Sequence, residues 1–324
     1  MNLVDALVLN GMEGVGDGSI TKILEFTSLN RIGSLEELAE VGIHKLPLKR
    51  IPHSLDGLLK SGEFDAERLR INDELQTWTK HGVTVIHRNS AKYPKQLLDL
   101  LAPPPFLFCK GNTSLLENTR AIAVVGTRNN SPKGAVIAEK TVKEFHNRSF
   151  VIVSGLALGI DTIAHKAALE CGAPTIAVLV DVQKISPATN RGLAEEILRK
   201  DGLLIAENMP GSPTVPAFFA KRDRIQAGLA TAVFAIETSK DGGTMFAVKA
   251  AREMRRPVFV PDAMAAKYKD LSLDVIQGTQ YLVEIGQARP YTNLLYDRIT
   301  EELEHISQGL RPVDIREAQV GLEL

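Results

Sequence analysis

Small residues and cations at the ends of two short apolar runs are the part of the sequence best suited to hold a phosphate group. They are Gly126, Thr127, Arg128, Lys133, Ser154 and Gly155. Small residues let a ligand approach the backbone closely, and an arginine supplies a permanent charge with several N–H donors. This combination predicts a binding site for a phosphate-containing ligand.

A second group of cations follows an adjacent aromatic pair. The cations are Lys221, Arg222 and Arg224, and the aromatic residues are Phe218 and Phe219. Cations neutralise phosphates, with a salt slope of about −0.7 per contact for single-stranded nucleic acid, and an aromatic ring can stack on a base. Two alternatives stay open, namely that one ring packs inside a helix and that Arg222 pairs with a structural carboxylate.

Candidate acid–base residues accompany a glycine-rich turn later in the chain. Asp161 and His165 are four residues apart and share a helix face, and Glu237 ends a strand. Gly242, Gly243 and Thr244 then precede a helix, where backbone amides can also contact phosphate. An acid–base pair is one interpretation, and a helix cap with a hydrogen-bonded histidine is the other. We predict no catalytic residue and no metal site.

Alternating strands and helices position these groups. The expected strands are 122–125, 151–153, 175–180, 203–206, 232–236 and 258–260, and the expected helices include 192–200, 216–229 and 244–255. This alternation predicts an α/β fold with a doubly wound, mostly parallel, Rossmann-like sheet. No strand precedes G-x-G-x-x-G and the Walker lysine motif is missing, so we expect no NAD, flavin or other cofactor.

The chain divides into four predicted parts. Residues 1–62 form a helical domain, 63–84 a linker helix and first strand, 85–288 the Rossmann-like domain, and 289–324 a C-terminal helix over 294–306 and a tail. Residues 43–62 read as loop. The turn Gly14-Val15-Gly16 is similar to a helix-hairpin-helix, which can hold a DNA phosphate, but it is equally typical of a tightly packed helical module.

Composition excludes several classes of protein. The 324 residues carry a net charge of −1, with 44% hydrophobic and 24% charged residues, so a globally basic nucleic-acid coat is excluded and any phosphate chain must meet a local patch. No apolar run is long enough for a membrane span, and the N-terminus lacks a basic secretory start. Cys109 and Cys171 match no metal spacing, and we expect a cytoplasmic protein.

Four segments, in order, resemble the DNA-processing protein A (DprA, or Smf) family. They are Ala123-Val-Val-Gly-Thr-Arg128, Ile152-Val-Ser-Gly-Leu-Ala-Leu-Gly-Ile-Asp161 with His165, Arg222-Asp-Arg-Ile-Gln-Ala-Gly-Leu229 and Pro257-Val-Phe-Val-Pro261. The resemblance implies an extended Rossmann fold that forms a homodimer, binds and protects single-stranded DNA and helps load the RecA recombinase in recombination or natural transformation, without known catalysis. The winged-helix domain of many members is expected to be absent.

Several positions depart from the family pattern. Leu158 replaces an arginine, Asp223 replaces the asparagine of Arg-Asn-Arg, Ser186-Pro187 replaces Tyr-Pro, and Asp262 replaces a glycine. These changes make the predicted site less cationic, which bears on affinity more than on fold.

Two other functional classes remain as alternatives. The Gly-Gly-Thr turn is also similar to the lysine-decarboxylase-like (LOG) phosphoribohydrolases, which cleave nucleoside monophosphates, and a third class is an interaction scaffold with an empty pocket.

The expected dimer face is 233–260. This segment carries apolar Met245, Phe246, Val248 and Met254 beside Lys249, Arg252, Arg255 and Arg256. We predict that these apolar positions exceed those that one sheet-facing helix stripe requires.

Overall fold

Nine strands form one sheet in the computed structural model, which describes residues 1–310 except positions 213, 269 and 271. The strands are β1 Val83–His87, β2 Phe106–Gly111, β3 Ala121–Val125, β4 Val151–Ser154, β5 Thr175–Leu179, β6 Leu203–Ala206, β7 Ala232–Ala235, β8 Val258–Pro261 and β9 Arg289–Tyr291. Their order is β1-β2-β6-β5-β4-β3-β7-β8-β9. Only β2 pairs antiparallel with its neighbours, β1 and β6, so the predicted mostly parallel sheet is confirmed.

The helices cover both faces of this sheet. They are α1 Leu3–Gly11, α2 Asp17–Leu29, α3 Leu35–Val41, α4 His53–Ser61, α5 Asp65–Lys80, α6 Pro132–His146, α7 Ile160–Cys171, α8 Arg191–Arg199, α9 Pro216–Leu229, α10 Thr244–Glu253, α11 Asp274–Glu284 and α12 Tyr296–Leu310. None of the described helices is long and apolar enough to cross a membrane.

The strands of the sheet centre are apolar on both sides because both sides are covered. In β3, Ile122 and Val124 belong to one core cluster with Phe145 of α6, whereas Ala123 and Val125 belong to the opposite cluster with residues of α9 and α10. Successive side chains of a strand point to opposite faces, so a continuous apolar run indicates a buried strand. The sheet therefore forms a rigid frame whose carboxyl edge can hold loops in fixed positions.

The strand order reverses between β3 and β7. The chain moves from β3 outward through β4, β5 and β6, and it then crosses to β7 on the other side of β3. Loops that leave neighbouring strands in opposite directions open a crevice at the carboxyl edge, where open α/β sheets bind their ligands. The topology alone thus places a cleft beyond Val125 and Ala235.

The N-terminal helices pack against the first edge of the sheet. Arg68 of α5 donates from Nε to buried Asp5 Oδ1 at 2.7 Å, and Asp5 Oδ2 accepts from the backbone N–H of Leu35 at 3.0 Å. Trp78 meets Phe108 of β2 edge-on, with ring centroids 5.4 Å apart. These contacts make one continuous apolar core from α1 to β6.

Three sequence predictions of secondary structure need correction. Residues 43–62 are not a plain loop, because α4 buries Leu55 and Leu59 four residues apart and ends at Gly62 in the left-handed conformation. The C-terminal helix begins at Tyr296 instead of residue 294 and extends to Leu310. Strand β9, which contains Pro290, was not predicted, since a three-residue edge strand with a proline carries almost no periodic signal.

Candidate functional site

A pocket of about 440 Å³ opens where the strand order reverses. Its wall combines the turn after β3, the start of α7, one face of α9 and the loop from β7 into α10. Nine predicted site residues line it, namely Gly126, Thr127, Arg128, Asp161, Phe219, Arg222, Gly242, Gly243 and Thr244. The fold therefore brings together segments that are more than a hundred residues apart in sequence.

Arg222 lies at the back of this pocket with unused hydrogen-bonding capacity. It is 5% exposed, and its Nε is 3.2 Å from Asp223 Oδ1, an ion-pair contact without hydrogen-bond geometry. Among the described residues, its buried Nε and Nη1 have no hydrogen-bond acceptor. A buried donor without a partner costs free energy, and an anionic ligand would supply the missing acceptor.

Gly155 makes room for the Arg222 guanidinium. A Cβ at Gly155 would lie 1.4 Å from Nη1 of Arg222, so no other residue fits without moving the arginine. Gly159 has a φ of +76°, and a Cβ there would lie 2.3 Å from the carbonyl oxygen of Thr127. Both glycines are thus required by close approach, and they fix the loop after β4 against the pocket.

Two carboxylates face the two pocket arginines. Asp161 Oδ2 accepts from the backbone N–H groups of Gly155 at 3.2 Å and Ala157 at 3.4 Å. Burial raises the pKa of Asp161, while Arg222 and these N–H groups lower it. Burial also raises the pKa of Asp223 to about 7, an effect that Arg222 opposes and Asp161 reinforces. The pocket therefore gains positive charge as these carboxyl groups take up protons.

The other two cations of the second predicted cluster do not line the pocket. Lys221 contacts Asp17 at the start of α2 and lies 3.3 Å from Glu207, and Arg224 donates from Nη2 to Glu207 Oε2 at 2.7 Å. Glu207 directly follows β6 and is buried. Its carboxylate thus holds two cations that the sequence assigned to ligand binding.

Lys133 and Ser154 also lie outside the pocket wall. Lys133 is exposed in the first turn of α6. Ser154 is buried, and its hydroxyl donates to the carbonyl oxygen of Val124 at 2.7 Å. Their proposed contact with a ligand stays a prediction.

His165 and Glu237 form structural hydrogen bonds. His165 Nδ1 is 2.8 Å from Thr175 Oγ1, and burial, with a contribution from Arg222, lowers the pKa of His165 to about 3. Glu237 is fully buried and accepts from Ser131 N at 2.8 Å, Ser131 Oγ at 2.5 Å and Tyr268 Oη at 2.9 Å. Neither side chain lines the pocket with Asp161, so the helix-face spacing does not assemble an acid–base pair.

Phe219 and Phe246 line the pocket, whereas Phe218 does not. Phe219 lines the pocket and an adjoining groove of about 340 Å³ that also exposes Leu158 and Pro187. The Phe218 ring centroid lies 5.9 Å from Lys221 Nζ instead. Phe246 of α10, predicted on a dimer face, is 51% exposed and lines the pocket. Aromatic residues thus border the pocket on two sides.

The expected apolar excess on α10 is wrong. Val248 is buried, and Met245 and Met254 pack against the core cluster, leaving Phe246 as the exposed member. Arg256 is also buried, where it donates to the backbone carbonyls at the end of α9. The sequence prediction was wrong because α10 buries a wider stripe of apolar side chains against the sheet than we had assumed for one helix face.

Sequence reasoning missed several pocket residues. They are Pro216, Ala220, Gln226, Thr238 and Ser239. Gln226 donates to Asp223 Oδ1 at 2.8 Å, but its own Oε1 is buried without a partner among the described residues. The carbonyl oxygens of Thr238 and Ser239 lie against Gly278, where an added Cβ would be only 2.4 Å from each of them. The positions of such polar residues depend on which strands are neighbours, and no local sequence signal contains that information.

Comparison with known proteins agrees with this architecture. Residues 84–304 match the family described as DNA recombination-mediator protein A. The chain is 33% identical to the DNA processing protein DprA of Bacillus subtilis over 205 residues, covering 63% of this chain and 69% of that protein. It is 38% identical to DprA of Streptococcus pneumoniae over 197 residues, covering 60% and 69%.

Solved structures extend the similarity to the N-terminal helices. The X-ray structure of Streptococcus pneumoniae DprA aligns with a TM-score of 0.75 at 28% identity, covering 90% of this chain and 95% of that one. DNA processing protein A of Helicobacter pylori, described for its single-stranded DNA binding mode, aligns with a TM-score of 0.59 at 27% identity, covering 69% and 96%. The chain belongs to the DprA/Smf family of DNA-processing proteins.

Proposed function

We propose that the pocket binds single-stranded DNA, and that the protein thereby protects such strands and helps load the RecA recombinase. The observation that carries the proposal is buried Arg222 in the pocket wall, whose Nε and Nη1 have no acceptor among the residues that the structure describes. A phosphate supplies several acceptor oxygens together with the opposite charge. The single-stranded DNA binding mode described for the Helicobacter pylori relative supports the same ligand.

The pocket suits a single strand better than a duplex. Phe219 and Phe246 border the pocket, and an unpaired base can stack on an aromatic ring whatever its sequence. Gly242, Gly243 and Thr244 bring the start of α10 into the pocket wall. The N-cap residue of this helix is Gly243, so no side chain accepts a hydrogen bond from the first backbone N–H groups. We infer that Arg128 and Arg222 contact phosphates while an aromatic ring stacks on a base.

The test is a binding isotherm with single-stranded and double-stranded oligonucleotides of equal length at two salt concentrations. We expect tighter binding of the single strand. Arg128→Ala removes an exposed charge and should weaken binding about tenfold, with a salt slope that is shallower by about 0.7. Lys166→Ala removes an equally exposed charge from α7, outside the pocket, and should change neither quantity.

Arg222 needs a variant that preserves the fold. Arg222→Ala would remove from buried Asp161 and Asp223 both the Arg222 cation and every donor of that side chain. Arg222→Gln also removes the charge, but it keeps an amide N–H donor and more of the side-chain volume, so it is the better choice. Its affinity for single strands should fall further than that of Arg128→Ala, with a melting temperature checked in parallel. Equal affinity for parent, Arg128→Ala and Arg222→Gln would show that the pocket is not the DNA site.

Recombinase loading is tested separately. RecA filament growth should be faster on strands already coated with a single-strand-binding protein when the present protein is added, and Arg222→Gln should abolish the acceleration.

We further propose that the protein forms a homodimer and is located in the cytoplasm. Light scattering tests the dimer, and both cysteines of the chain are free thiols, as a reducing compartment requires.

We also infer that the pocket binds its ligand without cleaving it. Asp161 is the only one of the three proposed acid–base residues in the pocket wall, since His165 and Glu237 are held in structural hydrogen bonds. Incubation with nucleoside monophosphates should therefore release no free base. Base release that Asp161→Asn abolishes would instead establish a phosphoribohydrolase.

A further inference from the structure

A second concave surface lies on the N-terminal helices, apart from the pocket. It encloses about 960 Å³ between the turn before α2 and the segment before α4. We call it the N-terminal groove, and its wall includes Gly16, Gly18, Lys22, Lys49, Arg50 and His53. The proposed function of the pocket does not use any of these residues.

The charge of the N-terminal groove is positive and uncompensated. Lys22, Lys49 and Arg50 are exposed, and none of them forms an ion pair in the part of the chain that the structure describes. Glu13 is the single carboxylate among the described residues of the wall. By contrast, Lys60, Arg68 and Arg70 of the N-terminal helices form ion pairs, as Arg68 does with Asp5 and Lys60 with Asp56. An anionic partner would give the groove cations the partners that they lack.

Neither a positive φ nor close packing requires glycine at Gly16, which is the N-cap of α2, or at Gly18, which lies in the first turn of that helix. Gly16 has a φ of −83°, and a Cβ at Gly16 or Gly18 would meet no atom within 4 Å. Gly14 differs, since its φ is +80° and a Cβ there would lie 3.3 Å from Pro52. Without a Cβ at Gly16 and Gly18, a ligand can approach the main chain at the start of α2 closely.

We propose that the N-terminal groove binds the phosphate backbone of the same nucleic-acid strand that occupies the pocket. This inference rests on the proposed function of the pocket. Asp17, in the first turn of α2, contacts Lys221, which is adjacent to Arg222 in α9, so the helix that lines the groove contacts the helix that lines the pocket. Among the residues that the structure describes, no Phe, Tyr or Trp lines the groove, so we expect its contacts to be with phosphates and independent of base sequence.

The experiment compares strand lengths. A short oligonucleotide that fills only the pocket should bind equally to the parent and to the triple variant Lys22→Ala/Lys49→Ala/Arg50→Ala. A long one should gain affinity on the parent by at least tenfold at low salt, and the triple variant should lose that gain. The salt slope for the long strand should become shallower by about 2, from three contacts of about 0.7 each.

The matched control is Lys143→Ala/Lys166→Ala/Arg199→Ala. These three residues are exposed on α6, α7 and α8, line no described pocket and remove the same charge. This variant should bind both strand lengths as the parent does. If it loses the long-strand gain to the same extent, net charge explains the effect and the groove assignment is overturned.

Gly18→Ala tests close approach without changing charge. Alanine is a better helix former than glycine and its Cβ meets open space, so the melting temperature should stay equal or rise. Long-strand affinity should nevertheless fall several-fold, because the methyl group lies where the phosphate approaches. Unchanged long-strand affinity would remove the argument from the glycines and overturn the proposed contact at α2.

The outcomes separate this inference from the function of the pocket. If the triple variant matches the parent at every length while Arg222→Gln binds weakly, the groove assignment fails and the pocket stands. If Arg222→Gln also matches the parent, the pocket assignment fails. Displacement of the long strand by a polyglutamate peptide of equal charge, at equal concentration, would overturn the preference for nucleic acid.

Discussion

The pocket and the N-terminal groove hold their cations in opposite ways. Arg222 is 5% exposed, fixed against Gly155 and flanked by Asp161 and Asp223. The groove cations, among them Lys22 and Lys49, extend into solvent without ion-pair partners among the described residues. A fixed, partly desolvated cation makes directed hydrogen bonds, whereas exposed lysines act as screened charges.

The two surfaces should therefore contribute differently to the affinity for DNA and to its salt dependence. The pocket should supply contacts of defined geometry, and its two arginines should contribute a salt slope of about 0.7 each. The groove should supply counterion release and therefore most of the salt dependence. The number of cations is thus a poor guide to affinity, because Lys221 and Arg224 are bound to Glu207 while one buried arginine carries the pocket.

The largest effect is expected for Gly155→Ala. The added Cβ would lie 1.4 Å from Arg222 Nη1, so the guanidinium must move although no charge is removed. Hydrogen bonds to charged groups contribute about 1.5–3 kcal/mol, so short-strand affinity should fall about 10- to 100-fold. Titration of a short oligonucleotide, measured by fluorescence anisotropy, checks this.

A matched glycine controls that experiment. Gly192→Ala on α8 places a Cβ in open space and should leave affinity unchanged. The contrast between the two surfaces predicts that Gly155→Ala keeps a residual, steeply salt-dependent affinity for long strands through the groove. If Gly155→Ala binds short strands as tightly as Gly192→Ala does, the geometry of Arg222 does not control binding.

The sequence predicted the frame and the position of the site for a physical reason. Apolar runs such as 122–125 and 151–153 indicate buried strands, and small residues directly after them identify the carboxyl edge where ligands bind. Nine of the predicted residues line the pocket because the turn after β3 and the start of α10 must meet at the strand reversal.

The remaining errors concern which partner a side chain finds across the fold. Lys221 and Arg224 appear equivalent to Arg222 in sequence, but both contact Glu207, which directly follows β6, a strand that is not adjacent to β7. His165 is four residues from Asp161, but its imidazole ring forms a hydrogen bond with Thr175 of β5. No local pattern encodes these pairings, because they depend on the order of the strands.

A smaller effect is expected for Phe219→Ala. Phe219 lines both the pocket and the adjoining groove with Leu158, where a base can stack on its ring. Stacking of one base contributes about 1–3 kcal/mol, so affinity should fall about tenfold with no change in salt slope. Phe218→Ala is the control, since that ring packs near Lys221. Equal losses for both variants would point to a packing role.

The smallest effect, and the one of opposite sign, is expected for Asp223→Asn. The pKa of Asp223 is raised to about 7 by burial, which Arg222 opposes and Asp161 reinforces, so the parent pocket loses positive charge as the pH rises through about 7. Arg128 also faces this carboxyl and lowers its pKa. The parent should therefore bind single strands less tightly at pH 8 than at pH 6, and Asp223→Asn should remove most of that dependence.

The same substitution makes a stability prediction with a defined sign. Because the folded-state pKa of Asp223 lies above the ordinary value of 3.8, the folded protein binds this proton more tightly than the unfolded chain, and stability falls as pH rises from about 4 to about 7. Asp223→Asn should raise the free energy of unfolding more at pH 8 than at pH 5.

For binding, one charge in a partly solvated pocket changes the binding free energy by about 1 kcal/mol, so the affinity of Asp223→Asn for single strands at pH 8 should be about fivefold higher than that of the parent. Because Asp223 lies outside the N-terminal groove, the substitution should leave the pH dependence of the long-strand gain unchanged. A variant with parental affinity and parental pH dependence would show that Asp223 does not oppose the ligand.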